Sequence, residues 1–219
     1  MLIRKITYIL VFAFSINILI CSSGVAAEKS ITESYIEAFE TNNQTMTYKI
    51  VEDNVEKIPA ELKTLIYSTM APNVEAEKKE ATLYIAEQMA ITYKDVTGDF
   101  EPLREIKKEQ FESKLSVQVI SVANKDGVHI IETPKEKDGH YNFFTPDNMV
   151  IKKGDTVRWY NTDKIAHLFA SFSIIGKGGL FTPNIDPGAT WDYTFEEAGE
   201  YYYLCFIHKG MLGKITVEE

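Results

Sequence analysis

A cysteine, a histidine and a methionine follow one another at three-residue spacing late in the chain: Cys205, His208 and Met211. Strand alternation would place Tyr201 and Tyr203 on the same face as Cys205, so the thiol ends an inward-facing row. A turn directly after the cysteine can bring a thiolate, an imidazole and a thioether around one point. Soft sulfur ligands favour copper(I), and imidazole suits both copper states, whereas structural zinc takes four strong ligands. These donors therefore favour copper.

A second imidazole would complete such a site, and His167 is the candidate. It follows a β-rich run at 154–161 that leads into a polar turn. Two histidines, one cysteine and a weak methionine form the trigonal arrangement used in electron transfer. His129 is interpreted as an ordinary strand or turn position, and His140 as a solvent-exposed turn residue.

Two motifs resemble those of the cupredoxin (type 1 blue copper) family. The first is Gly-Asp-Thr-Val-Arg-Trp-Tyr-Asn at 154–161, ahead of His167. The second is Gly-x-Tyr-x-Tyr-x-Cys-x-x-His-x-x-Met at 199–211. The short ligand loop is most similar to that of amicyanin, while plastocyanin and pseudoazurin have longer ones. The likeness covers residues 141–219 well and 116–140 loosely, and it does not extend to the region before them.

The resemblance implies a complete ligand set for one type 1 copper ion per chain. His167, Cys205 and His208 would be the equatorial ligands, and Met211 the axial one. Many family members have an asparagine directly after the first histidine, where it bonds to the ligand loop. Leu168 occupies that position here. Because outer hydrogen bonds hold metal ligands in place, this departure leaves the rigidity of the loop and the redox potential open.

Residues 28–115 have the periodicity of a small helical region of unknown role. Helices are predicted from Pro59, after an Asn73 N-cap, and after an Asp99 N-cap. The run 28–54 is polar and ambiguous. Residues at helical spacing form an apolar stripe on the second of these helices, namely Val74, Ala81, Ile85, Met89 and Tyr93.

After residue 115, apolar residues alternate as they do in strands, with Gly, Pro, Asn and Asp between the runs. Strands are predicted at 116–122, 149–152, 156–160, 168–172, 190–195, 201–205 and 214–217. Regularly spaced short strands indicate a sandwich or barrel. The predicted fold class is therefore α+β, with an all-β Greek-key sandwich of cupredoxin type over residues 116–219 behind the helical region.

Residues 1–27 have the pattern of a cleaved secretory signal peptide. Two basic residues precede an apolar run at 6–20, and small residues at 25–27 would suit a signal peptidase. An apolar run of about 15 residues is short for a membrane span, which needs about 20. The alternatives are an uncleaved anchor and a lipoprotein signal at Cys21, and only these would place the protein at a membrane. The protein is thus expected to be exported, to a periplasmic or other extracytoplasmic location.

Cleavage would remove Cys21 and leave Cys205 as the single thiol, which cannot then form an internal disulfide. An unpaired thiol in an oxidising compartment is a liability unless a metal or burial protects it.

The chain has 219 residues, 45% of them hydrophobic and 25% charged, with a net charge of −9. That charge offers no basic footprint for nucleic acid.

These features predict a single-electron carrier, not an enzyme. The chain shows neither a hydrolase signature of Ser, His and Asp nor the extra cysteine or histidines of other copper centres. Redox proteins are expected to dock near His208, on a patch formed by Ile207, Met211, Leu212 and residues 180–181. The alternatives are a copper chaperone or sensor, or a domain that supplies electrons to a partner-binding helical region.

Overall fold

The computed structural model describes residues 29–133 and 143–219. They belong to two compact units, the first ending at Gln110 and the second beginning at Phe111, slightly before the predicted boundary at residue 116. The expected signal peptide at 1–27, with Cys21, and the turn with His140 lie outside the described residues. None of the helices in the two described ranges combines the length and the hydrophobicity that a membrane-spanning helix requires.

The first unit is helical. Its elements are α1 (Ile31–Glu40), α2 (Gln44–Glu52), α3 (Ile58–Thr69), α4 (Ala76–Thr97) and α5 (Glu101–Glu112), whose last turn belongs to the second unit. The buried core includes Tyr35, Val51, Leu62, Met89 and Ile106. Ala81, Ile85, Met89 and Tyr93 of the predicted stripe are all buried, and Met89 and Tyr93 belong to the core of the helical unit.

Helices α1 and α2 lie in the run that the sequence left ambiguous. A capping box starts α1: the Ser30 hydroxyl accepts the Glu33 N–H at 3.1 Å, and the Glu33 carboxylate accepts the Ser30 N–H at 2.8 Å. The prediction for α4 was wrong at its start, because the helix begins after Glu75 and Asn73 does not cap it. Val74 therefore lies outside the helix.

The second unit contains two β-sheets. Its strands are β1 (Val119–Ile120), β2 (Val128–Thr133), β3 (Asn148–Lys152), β4 (Thr156–Asn161), β5 (Phe169–Ser171), β6 (Thr190–Thr194), β7 (Gly199–Cys205) and β8 (Leu212–Glu218). One sheet has the order β1-β3-β8-β7-β5 and the other β2-β4-β6. The predicted strand at 116–122 is reduced to two paired residues, and β2 was not predicted as a separate strand. The α+β fold class is confirmed.

Strand β7 is buried on both faces. Tyr201, Tyr203 and Cys205 point into the main core of the unit, as alternation predicted. Tyr202 points the other way and is also fully buried, where Phe111 packs edge-on against its ring at 5.2 Å between centroids. Its hydroxyl donates to Glu112 at 2.5 Å. Side chains therefore pack on both faces at the centre of the strand that carries the cysteine.

Candidate metal centre

Cys205 is the last residue of β7 and pairs with Phe169 of β5. Its side chain is buried and forms no disulfide within the described part of the chain. Its N–H donates to the carbonyl of Met211 at 3.0 Å. This bond folds the chain back directly after the strand, so the thiol sits at the base of a closed loop.

His167 lies between β4 and β5 and is 1% exposed. Two backbone hydrogen bonds to Ile185 hold it, with the His167 N–H donating at 3.1 Å and the Ile185 N–H at 2.8 Å. Its Nδ1 lies 3.8 Å from the Cys205 sulfur. The predicted convergence of these two distant segments is therefore present in the fold.

His208 brings the second imidazole to the same point. Its Nδ1 lies 3.6 Å from the Cys205 sulfur, and its ring centroid is 4.6 Å from that of His167. The three potential ligand atoms all lie within 4.8 Å of one another. The ring nitrogen of His208 lies with the other donor atoms, but the residue as a whole is partly exposed. This imidazole is thus the one that connects the cluster with the surface.

Met211 belongs to the same loop and is fully buried. Its N–H donates to the His208 carbonyl at 3.3 Å, in addition to the bond between its carbonyl and Cys205. A further backbone bond, from the Phe206 N–H to the Leu168 carbonyl at 2.8 Å, joins the loop to the segment after His167. The main chain at Leu168 therefore ties the two ligand segments together.

The surroundings of His167 favour its neutral form. Burial lowers the pKa of this imidazole, and the nearby His208 lowers it further, while Asp163 opposes both effects. A histidine must be neutral to coordinate a metal. Two imidazoles and a thiol, gathered within one buried cluster, fit a soft ion such as copper.

Known proteins are similar to this part of the chain. Residues 129–218 match the model of copper binding proteins of the plastocyanin/azurin family. Amicyanin from Paracoccus denitrificans is 33% identical over 94 residues, which are 42% of this chain and 67% of that protein. The chain belongs to the plastocyanin/azurin family. A second amicyanin, from Paracoccus versutus, is 35% identical over 77 residues and is matched over 58% of its length.

Solved structures were also matched. A purple cupredoxin from Nitrosopumilus maritimus is 31% identical, with a TM-score of 0.36, over 41% of this chain and 98% of that one. A copper-containing nitrite reductase from Thermus scotoductus is 26% identical, with a TM-score of 0.36, over 45% of this chain and 25% of that one.

Asn161 is a buried residue of this cupredoxin domain that the sequence analysis did not identify. Its side-chain amide donates to the carbonyls of Ile165 at 2.8 Å and Ile185 at 2.7 Å. Its side-chain oxygen accepts the Thr133 hydroxyl at 3.0 Å and the Asp163 N–H at 2.9 Å. These bonds shape the loop that presents His167. The Asn within the motif at 154–161 was the available signal, but its partners lie far apart in the sequence.

A second group of polar side chains lies elsewhere in the domain. His129 of β2 binds Ser121 through Nδ1 at 2.8 Å and Asp155 through Nε2 at 3.1 Å. This serine–histidine–aspartate row was not predicted from the sequence. Asp155 also accepts the Lys152 N–H at 2.8 Å. Since Ser121, His129 and Asp155 belong to three separate segments, their hydrogen bonds join these segments. His129 is a strand residue, one of the two predicted alternatives of strand or turn, and lies outside the metal cluster.

The expected surface patch is only partly exposed. Ile207 is 49% and Phe181 71% exposed, and Phe206, which was not predicted, is 61% exposed. Leu180 and Met211 were wrongly included, because both are buried in the core. The exposed apolar residues thus belong to the ligand loop and to the segment that pairs with β5 through a bridge at Ala170 and Phe181.

Proposed function

We propose that this protein is an exported type 1 copper protein that carries single electrons between redox partners. His167, Cys205 and His208 would hold the copper ion, and the thioether of Met211 would be a weaker fourth ligand. The convergence of both imidazole Nδ1 atoms on one buried thiol, at 3.8 and 3.6 Å, carries the proposal. Copper, when bound, alternates between its +1 and +2 states and so stores one electron.

The protein's own part is to keep the donors still while the charge changes. His167 is fixed by its two bonds to Ile185, and Cys205 by its pairing with Phe169. The bond from Phe206 to Leu168 joins the two segments. A site in which the ligands are already positioned needs little rearrangement between oxidation states, and that favours rapid electron transfer.

Partners would dock at the ligand loop, where His208 connects the cluster with the surface. Phe206, Ile207 and Phe181 give this surface an apolar character. Exposed apolar residues that lie together are typical of interaction sites. A redox protein with a matching apolar surface is therefore the partner class we propose, and Lys209, within the loop and next to His208, would favour an acidic rim on it. The pattern of a signal peptide at residues 1–27 supports export.

The proposal is tested by titrating the purified protein with copper(II) and recording its visible absorption. One equivalent should produce an intense thiolate-to-copper band. Cys205→Ser should abolish the band, and His167→Gln should weaken binding and alter the band. His129→Gln is the matched control, because this histidine lies outside the cluster, and it should keep one copper ion and the full band.

Absence of the band in the unaltered protein would contradict a type 1 site. A second measurement separates a carrier from a chaperone or sensor: the rate of electron self-exchange, compared with the rate of copper release to a competing chelator. A carrier exchanges electrons rapidly and keeps its metal. Slow exchange with ready copper release would overturn the carrier proposal and support the chaperone.

A further inference from the structure

The far side of the His167 ring faces a carboxylate. Nδ1 is directed at the thiol of Cys205, whereas Nε2 lies 3.4 Å from an oxygen of Asp163. The Nε2 atom is buried and has no hydrogen bond of ordinary geometry to any described residue. The carboxylate of Asp163, whose side chain is 13% exposed, is thus a charged acceptor placed beside a buried ring nitrogen.

Asp163 is held in place by its neighbours. One carboxylate oxygen accepts the Lys164 N–H at 2.6 Å, which leaves the other oxygen directed at His167. The Asp163 N–H donates to the side chain of Asn161 at 2.9 Å, and the same side chain binds Ile165. The carboxylate is therefore part of a loop that is fixed at several points.

This arrangement has a consequence for the tautomer of the ring. A carboxylate can only accept a hydrogen bond, so it favours the form of neutral imidazole that carries its proton on Nε2. That form leaves the lone pair on Nδ1, the nitrogen that faces Cys205. A negative charge behind the ring also makes Nδ1 a stronger donor.

We propose that Asp163 is a positioning residue, which fixes the tautomer of His167 and increases the affinity of the site for copper(II) over copper(I). The proposal rests on the copper site described above. A nearby negative charge stabilises the more positive oxidation state, so Asp163 lowers the reduction potential. Residues that support metal ligands in this way typically contribute about 10- to 100-fold in affinity.

The test compares Asp163→Ala, Asp163→Asn and the control Asp126→Asn. Asp126 precedes β2, whose first residue pairs with the first residue of β4, so it lies at the opposite end of the sheet from the Asn161 loop. Its substitution removes the same charge from an exposed turn. Asp163→Asn keeps an acceptor oxygen for Lys164 and His167 but removes the charge, and so separates charge from hydrogen bonding.

Copper(II) affinity should fall about 10- to 100-fold in Asp163→Ala, with a smaller fall in copper(I) affinity. A tenfold difference between the two states raises the reduction potential by about 59 mV. Asp163→Asn should lie between this variant and the unaltered protein, and Asp126→Asn should match the unaltered protein. The thiolate-to-copper band should persist in all of them, because Cys205 is unchanged.

A readout on the copper-free protein makes the result independent of the metal. Nitrogen NMR should find the His167 proton on Nε2 in the unaltered protein and in Asp126→Asn, and a mixture of tautomers in Asp163→Ala. Equal potentials in Asp163→Ala and Asp126→Asn would overturn the role of Asp163 while leaving the copper carrier intact. A missing band in the unaltered protein would instead defeat the proposed function. Should Asp163→Ala not fold, Asp163→Asn decides on the same measurements.

Discussion

The two units differ in how their buried polar groups are bonded. In the helical unit, buried hydroxyls have partners: Thr69 donates to the Ile66 carbonyl at 2.7 Å, and the hydroxyl oxygens of Tyr35 and Thr92 lie 2.8 Å apart. In the β unit, Trp159 Nε1, His167 Nε2 and Tyr203 Oη are buried with no hydrogen-bond partner among the described residues. Unpartnered buried polar atoms thus occur, among the described residues, in the unit that contains the candidate site and not in the helical unit.

Burying a polar group without a partner costs about 1–3 kcal/mol. A fold that serves only stability avoids this cost, as the described helices do. The β unit accepts it at three described atoms, one of which is His167 Nε2, the ring nitrogen that faces Asp163 and not Cys205. The energetic effects of substitutions should therefore differ between the two units, and four measurements would test that difference.

The largest effect is expected in the helical core. Met89 is completely buried, and Met89→Ala should reduce the free energy of unfolding by about 2–5 kcal/mol through lost contacts and a cavity. Far-UV circular dichroism during urea unfolding measures it, and the copper band should be retained. Met70→Ala, at a position 53% exposed, is the control and should change stability by less than about 0.5 kcal/mol. Loss of the copper band in Met89→Ala would show that the units are not separable.

A crowded position in the β unit should have the next largest effect. A Cβ atom at Gly213 would overlap the Tyr203 ring, which is itself packed against Phe144 and Trp159. Gly213→Ala should cost about 1–3 kcal/mol because the ring has nowhere to move. In Gly178→Ala the new Cβ would lie 3.7 Å from Ser173, an ordinary contact, so this control should be nearly neutral. Equal stabilities in urea titrations would contradict the expected crowding.

The copper-free protein should become less stable in acid because of His167. Its folded-state pKa is lowered by burial, so the unfolded chain binds the proton more readily. The contribution of neutral His167 to the free energy of unfolding is fully present above the pKa of the unfolded chain, about 6.5. It is lost as the pH falls through the lower pKa of the folded state. The slope from one group is at most about 1.4 kcal/mol per pH unit. Urea unfolding between about pH 7.5 and 5 should show it, and His167→Gln should reduce the slope.

The smallest effects concern two tyrosines whose hydroxyl groups differ in bonding. Tyr35→Phe removes a buried bond to Thr92 and should cost about 1 kcal/mol, while Thr92 keeps its bond to the Gln88 carbonyl. Tyr203→Phe removes a hydroxyl that has no hydrogen bond of ordinary geometry among the described residues, so stability should stay the same or rise. Each variant lacks one oxygen atom of the unaltered protein, so the two changes are matched in size. A clear loss of stability in Tyr203→Phe would contradict the contrast between the units.

Much of the fold is predictable from the period of the apolar residues. The helices α3 to α5 and most strands follow from it, since each side chain's burial depends on its own position in the repeat. The start of α1 was also readable, in the capping box formed by Ser30 and Glu33. Strand β1 could not be delimited, because the pairing that ends after Ile120 depends on its partner β3 and not on the local sequence.

The candidate site was predictable where donor types and spacing carry information, as in the loop from Cys205 to Met211. Two sets of contacts were not predictable from the sequence. The partners of Asn161, and the placement of Asp163 behind the His167 ring, depend on how a loop closes in space. Likewise, the row of Ser121, His129 and Asp155 comes from three segments that only the folded sheets bring together.

The pairing of β3 with β8 has a consequence for the order of folding. These strands run parallel, with Asn148 opposite Lys214, so a long stretch of chain must be enclosed before the pairing forms. In the first unit, contacts between consecutive helices are prominent, and such local contacts form faster. We therefore expect the helices to be native first, and the thiol of Cys205 to stay open to oxidants until the sheet closes.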